Sequence, residues 1–173
     1  RYLLIEPLRT QSLPHSALVD PDNDHVPTDW ADQSGIPGVA YFMIHSGSPY
    51  GDGVYMRTSP TSLDRGIVPG VSALDGYWSF SVMEKGVIAG AGRQAYINGN
   101  NGQTLTFAAT VHPWQLYSLV ANAAANGGVW RLLDTVAGGG GEINLTMPQI
   151  ESGSYVSTWI PTTASSDSRK VER

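Results

Sequence analysis

Cysteine is absent from the 173-residue chain, and lysine occurs only at Lys85 and Lys170. The absence of cysteine excludes disulfides, thiolate metal sites and thiol nucleophiles. The scarcity of lysine and the formal net charge of −5 argue against a nucleic-acid partner, because phosphate backbones are bound by clustered basic side chains. No run approaches the about 18 consecutive apolar residues of a membrane span, so we expect no membrane insertion.

Charged residues are also scarce, at 14% of the chain against about 25% in an average soluble domain. Hydrophobic residues make up 41%, which is enough to bury a core and argues against disorder through most of the chain. The length suits one domain. Because the chain begins at Arg1 without a methionine, we expect a piece of a longer protein or a processed product.

Short alternating runs, separated by turns rich in glycine and asparagine, predict eight to ten β-strands. Residues 77–83 place Trp78, Phe80 and Val82 on one face and two serines on the other, which is typical of a half-buried strand. Residues 98–102, NGNNG, predict a hairpin turn. This pattern indicates a β-sandwich or jelly roll.

Three stretches are less regular. Residues 14–38 contain five aspartates with repeated proline and glycine, and predict a surface loop. Residues 113–126 fit a helix that begins at Pro113 and ends before Gly127, but they also fit a strand. Local propensity leaves these two alternatives open. Residues 164–173 are polar, and we expect a frayed tail.

Two end segments resemble those of many phage tail and spike proteins. Residues 2–10, YLLIEPLRT, resemble the opening LLVE-x-x-RTN segment, and residues 147–162, MPQIESGSYVSTWIPT, resemble the closing QLE-x-G-x-x-x-TSYIPT segment. Between them, residues 77–82 resemble a YTFSVY strand, and residues 113–117 resemble a strand with the pattern W-x-R. Proteins with these segments are concanavalin A-like (laminin-G-like) modules, which are usually carbohydrate-binding.

The resemblance implies an all-β, concanavalin A-like β-sandwich (jelly roll) of two antiparallel sheets over residues 1–163, followed by a polar tail at 164–173. It also implies a strand at 114–120. Gln11 and Trp159 depart from the Asn and Tyr that are usual at those positions. Within the closing segment, Gln149 and Glu151 share one face of an extended stretch, and we interpret them as part of fold closure.

Acidic residues give the strongest metal signal. Asp20, Asp22 and Asp24 could converge on calcium, although His25 and Ala31 stand where an EF-hand loop has Gly and Glu. The alternative is a solvated acidic turn. If the three aspartates converge, we expect them to bind calcium. We expect no other cofactor.

Catalytic signatures are weak. Retaining glycosidases need two carboxylates about 5 Å apart, and the only closely spaced acidic run lies in the loop broken by prolines. Residues 47–51 do not form a Gly-x-Ser-x-Gly elbow, and residues 90–95 match a dinucleotide fingerprint without the helix that must follow it. The four histidines lack zinc-site spacing. We therefore expect no enzymatic activity.

Aromatic side chains with a polar group are the remaining signal, since five Trp and eight Tyr stand against three Phe. Such rings stack on sugars while amides and charged groups bind the hydroxyls. We expect Trp78 and Trp114 to lie in the core. The residues predicted to contact carbohydrate are Tyr50, Asp52, Tyr55, Arg57, Trp130, Arg131 and Asp134.

These observations and the resemblance together predict a non-catalytic module that recognises a host cell-surface polysaccharide. The resemblance implies a phage or phage-like fibre or spike, located on the virion and acting outside the cell, and commonly a homotrimer. The alternatives are a structural trimerisation or attachment module, a polysaccharide hydrolase or lyase, and a protruding domain of a virus capsid.

Overall fold

The computed structural model describes residues 9–11, 30–32, 41–44, 53–57, 65–69, 74–90, 93–98, 103–134, 141–158 and 167–169. The regular elements in these ranges are strands: β1 (Arg9–Gln11), β2 (Trp30–Asp32), β3 (Tyr41–Ile44), β4 (Gly53–Arg57), β5 (Arg65–Pro69), β6 (Leu74–Ile88), β7 (Arg93–Asn98), β8 (Gln103–Thr106), β9 (His112–Asp134), β10 (Glu142–Ser152) and β11 (Asp167–Arg169). Within these ranges no helix has the length and hydropathy needed to cross a membrane.

The strands form two antiparallel sheets that share β9. In the first sheet β10 pairs with β6 along most of its length, with β4 near its start and with β1 near its end. β6 then pairs with residues 112–128 of β9, while β3 pairs with β4 and β11 with β1. In the second sheet residues 129–134 of β9 lie between β5 and β7, which pair with β2 and β8. The predicted all-β fold is confirmed.

The apolar core lies against one face of the first sheet, which we call the core face. The strand registers place Phe80 opposite Ile150, and Trp78 opposite Ala121, on this face. The buried apolar side chains of the described residues are Phe80, Val82, Phe107, Ala121, Ile143, Leu145 and Ile150. Phe107 packs edge-on against Tyr117, with the ring centroids 5.2 Å apart. Trp78 and Trp114, predicted to be core residues, are only half-buried.

A bulge in β10 keeps polar residues off the core face. Thr146 lies opposite Met83 and Gln149 lies opposite Ser81, so Met147 and Pro148 together face one residue of β6. Met147 has φ 53°, a backbone conformation that is uncommon for residues other than glycine. Without this extra residue, the residues after Thr146 would exchange faces. The predicted alternation of side chains between the two faces of β10 therefore holds as far as Thr146 and then shifts by one residue.

The centre of β6, residues 79–82, is buried on both faces, so the prediction of a half-buried strand is wrong there. Phe80 and Val82 are fully buried on the core face, but Ser79 and Ser81 on the other face are only 1% and 5% exposed. Small polar residues opposite apolar ones therefore do not guarantee a solvent-facing surface.

The structure tests three other predictions made from the sequence. Residues 112–134 form one strand, so the helix alternative for 113–126 is wrong, and pairing along β6 overrides the local helical spacing. β7 and β8 pair across residues 98–102, which confirms the hairpin. β2 lies within the predicted loop 14–38, and β11 lies within the predicted tail, where pairing with β1 holds it in a sheet.

The close packing around Gly86 predicts that a larger residue at this position destabilises the fold. A Cβ atom at Gly86 would collide with the Thr110 carbonyl oxygen and lie 2.8 Å from His112 Cδ2. Because a backbone atom is the obstacle, we expect Gly86→Ala to lower the free energy of unfolding by about 3 kcal/mol, the upper end for overpacking. Urea unfolding followed by circular dichroism measures this loss.

The matched control is Gly76→Ala. Gly76 has φ 77° and nothing within 4 Å of its Cβ position, so the substitution costs only backbone strain, about 1 kcal/mol. Equal losses for the two variants would contradict the steric account of Gly86.

Candidate functional site

The face of the first sheet opposite the core is the candidate site, and we call it the polar face. It is polar on the two central strands and partly open to solvent along β9. Its members are Ser79, Ser81, Met83 and Lys85 on β6, Glu142, Asn144, Thr146, Gln149 and Glu151 on β10, and Leu116, Ser118 and Val120 on β9. Leu116 is 62% exposed and Val120 37%, whereas Thr146 is buried.

Asn144 lies at the centre of one row of this face. Lys85 is its partner on β6, and Tyr55 is its partner on β4. The Asn144 side-chain oxygen is buried and has no hydrogen-bond partner within the structure as described. A buried acceptor without a donor is costly, and it calls for a water, an ion or a ligand group.

A cluster at the other end of the polar face, which we call the clasp, consists of Gln149, Glu151, Ser157 and Thr158. The buried Glu151 carboxylate accepts hydrogen bonds from the Ser157 hydroxyl (2.6 Å), the Ser157 backbone N–H (3.1 Å) and the Gln149 amide (2.8 Å). The Gln149 amide also lies 3.4 Å from the Ser157 and Thr158 carbonyls. These contacts tie residues 157 and 158 back onto β10.

The contacts of the clasp explain the positions of several residues in the closing sequence segment, residues 147–162. Gln149 and Glu151 share the polar face and are 1% and 0% exposed, while Ile150 is buried on the core face. Gly153, with φ 120°, turns the chain, and its N–H donates to the Tyr77 carbonyl at 2.7 Å. The observed contacts of Gln149 and Glu151 are with other residues of the chain, as expected for a role in fold closure.

A buried ionisable pair lies on the core face. His112 Nε2 is 2.9 Å from Glu84 Oε2, with the two side chains 8% and 0% exposed. The contact has the distance of an ion pair but not the direction of a hydrogen bond. His112 Nδ1 is 2.9 Å from the Pro113 carbonyl. Because the pair faces the core beside Leu145 rather than solvent, we interpret it as structural.

The predicted carbohydrate contacts fall in two sheets. Tyr55 and Arg57 lie on β4, opposite Asn144 and Glu142 of β10, so the register brings them beside the polar face. Trp130 and Arg131 lie opposite Ile97 and Tyr96 in the second sheet. Asp134 of β9 is paired with Arg65 of β5 on one side and with Arg93 of β7 on the other. The two groups do not pair with each other, and their roles stay predictions.

The remaining predicted residues, Tyr50, Asp52, Asp20, Asp22 and Asp24, lie outside the described residues. Among the residues that are described, no group of three or more His, Cys, Asp or Glu side chains could hold a metal ion. Calcium at the acidic loop therefore stays a prediction.

Sequence reasoning missed Lys85 and Asn144 as candidate site residues. The period-two pattern that placed Ser79 and Ser81 on one face extends to Lys85, and the predicted last strand placed Asn144 opposite the apolar residues. What the sequence does not show is the strand register that brings the two together across β6 and β10.

Comparisons with known proteins bear on the fold. No protein-family model matches the sequence, and no curated protein matches it. Among solved structures, the CBM22-1 xylan-binding domain from Paenibacillus barcinonensis Xyn10C is similar, with TM-score 0.52 and 15% identity over 82% of this chain and 90% of that one. A family 29 carbohydrate-binding module complexed with mannohexaose has TM-score 0.52 and 10% identity over 86% and 94%.

The MgGH51 α-L-arabinofuranosidase also matches, with TM-score 0.58 and 15% identity. That match covers 81% of this chain but only 26% of the enzyme. At these identities the similarity establishes the fold, and the predicted β-sandwich jelly roll is confirmed. The carbohydrate-binding modules among these structures share that sandwich, and none of the three is a phage fibre protein.

The clasp predicts a specific loss of stability. Ser157→Ala removes a 2.6 Å hydrogen bond to a buried carboxylate, so we expect the free energy of unfolding to fall by about 2 kcal/mol. Ser154→Ala, at an exposed serine of the same segment, should change it by less than about 0.5 kcal/mol. Chemical denaturation of the two variants in parallel measures both values, and similar losses would contradict the clasp.

Proposed function

We propose that this chain binds a polysaccharide without chemically altering it, through the polar face of the first sheet. The observation that carries the proposal is Asn144, a half-buried residue paired with the half-buried Lys85, whose side-chain oxygen lacks a donor among the described residues. A sugar hydroxyl is a donor of suitable size, and it can also accept from a neighbouring ammonium group.

The chemistry of this row suits a polyhydroxylated ligand. The Asn144 amide and the Lys85 ammonium group supply donors and an acceptor on adjacent strands of one sheet face. Tyr55 and Arg57, predicted from the sequence to contact sugar, occupy the neighbouring positions on β4.

The structural neighbours support the same function class. A xylan-binding domain and a mannohexaose complex adopt this fold over more than four-fifths of the present chain. Attachment of a phage or phage-like particle to a host surface polysaccharide, display as a homotrimer and use of calcium are finer parts of the proposal. They are supported by the two end segments and the acidic loop.

An enzymatic role is the weaker candidate. The glutamates with described side chains are Glu84, Glu142 and Glu151. Glu84 lies on the core face, and Glu142 and Glu151 are nine residues apart on β10, which is roughly 30 Å at the rise of a strand. A glycosidase pair requires about 5–9.5 Å, so these three side chains do not supply one.

A polysaccharide array probed with the labelled chain tests the function. We expect binding to one family of microbial or plant polysaccharides. Binding that survives EDTA would remove calcium from the proposal, whereas loss that is restored by added calcium would support a metal at Asp20–Asp24. No binding to any array member by a multivalent, tetramerised chain would contradict the proposal and favour a structural module.

Asn144→Ala tests whether the Asn144 side chain contacts the polysaccharide. Removing the amide should weaken binding to the best array polysaccharide roughly five- to tenfold, or about 1–1.4 kcal/mol, because one hydrogen bond to the ligand is lost. The matched control is Gln115→Ala, an exposed amide on the opposite face of β9, which should leave affinity unchanged. Isothermal titration measures both, and equal affinities for Asn144→Ala and wild type would rule out this site.

A further inference from the structure

We propose that Tyr77 and Tyr155 form an aromatic subsite that stacks on one sugar ring of the bound polysaccharide, next to the clasp. This inference rests on the proposed function and names two contact residues that lie at the opposite end of the polar face from Asn144. Neither tyrosine is among the carbohydrate contacts predicted from the sequence.

Both rings are available to solvent. Tyr77 is 58% exposed and Tyr155 is 45% exposed, and they are the exposed aromatic residues among the described side chains. Tyr77 belongs to the same face as Ser79 and Ser81, because side chains alternate along β6. An exposed tyrosine presents a ring for stacking and a hydroxyl for hydrogen bonding, which suits the face and edge of a pyranose.

The backbone brings the two tyrosines to one place. The Gly153 N–H donates to the Tyr77 carbonyl at 2.7 Å, and Tyr155 follows two residues later. The chain then returns to the polar face, where Ser157 bonds to Glu151. Residues 154–156 are therefore a short loop anchored at both ends, and Tyr155 stands in the middle of it.

Anchoring matters because a preorganised contact avoids part of the entropy cost of binding. A tyrosine on a free loop would lose more freedom on meeting a ligand than one whose neighbours are already held. The buried clasp therefore acts as a positioning element for Tyr155, in addition to closing the fold.

Neighbouring groups complete a sugar-sized surface. Asn122, directly opposite Tyr77 on β9, is exposed and offers an amide for hydroxyl groups. Val120, opposite Ser79, is 37% exposed and extends the apolar area that stacking requires. A ring, an amide and an aliphatic contact on one face match the alternating apolar and polar surface of a pyranose.

Tyrosine substitutions test the subsite against the array polysaccharide that wild type binds best. We expect Tyr77→Ala and Tyr155→Ala each to weaken binding about tenfold, and the double variant to weaken it at least about fiftyfold. Tyr77→Phe and Tyr155→Phe should stay within about threefold of wild type, because the stacking ring remains. Val111→Ala, at a 63% exposed residue just before β9, is the control and should bind as wild type does.

A cycle with Ser157→Ala tests the positioning role. We expect this substitution to weaken binding several-fold when Tyr155 is present and to have no effect in the Tyr155→Ala background. Thermal melts establish that every variant is folded at the temperature of the binding measurement.

The outcomes separate the two proposals. If wild type binds a polysaccharide and the double tyrosine variant binds it equally well, the subsite is wrong while the proposed function stands. If wild type binds no array member, the proposed function fails and the subsite fails with it. Equal effects of Ser157→Ala with and without Tyr155 would overturn the positioning role alone.

Discussion

The pairing of β6 with β10, and the bulge that interrupts it, is the constraint on which the rest of the structure depends. Ile143, Leu145 and Ile150 can all fill the core only because Met147 and Pro148 add one residue to β10. The same shift places Gln149 and Glu151 on the opposite face. The positive φ of Met147 is the local strain that this arrangement requires.

The buried Glu151 carboxylate links fold closure to the proposed binding surface. Its three hydrogen-bond donors come from Gln149 on the same strand and from Ser157 on the returning chain. Buried charges are tolerated when their hydrogen-bonding capacity is filled, and here filling it holds the loop that carries Tyr155. Residues 157 and 158 thereby return to one end of the polar face, while Leu116, Ser118 and Val120 on β9 stay exposed.

The sequence predicted the fold class, the hairpin at residues 98–102 and the closing role of Gln149 and Glu151, because each follows from local alternation, turn chemistry or a resembling segment. It did not predict the burial of Ser79 and Ser81, since small polar residues that alternate with apolar ones are also the pattern of a strand with one face in solvent. The strand at 112–134 was ambiguous because local spacing also fits a helix, and only pairing with β6 decides it. Lys85 and Asn144 became candidates through strand register, which a single sequence does not contain.

Mapping the ligand onto the chain tests the central claim most directly, which is that the polar face of the first sheet binds polysaccharide. The measurement is a 1H–15N NMR titration with an oligosaccharide fragment of the array polysaccharide that binds best. Our account predicts shift changes concentrated at Lys85, Asn144, Ser118 and residues 153–157, with little change along β5, β7 and β8. Changes confined to those three strands would contradict it.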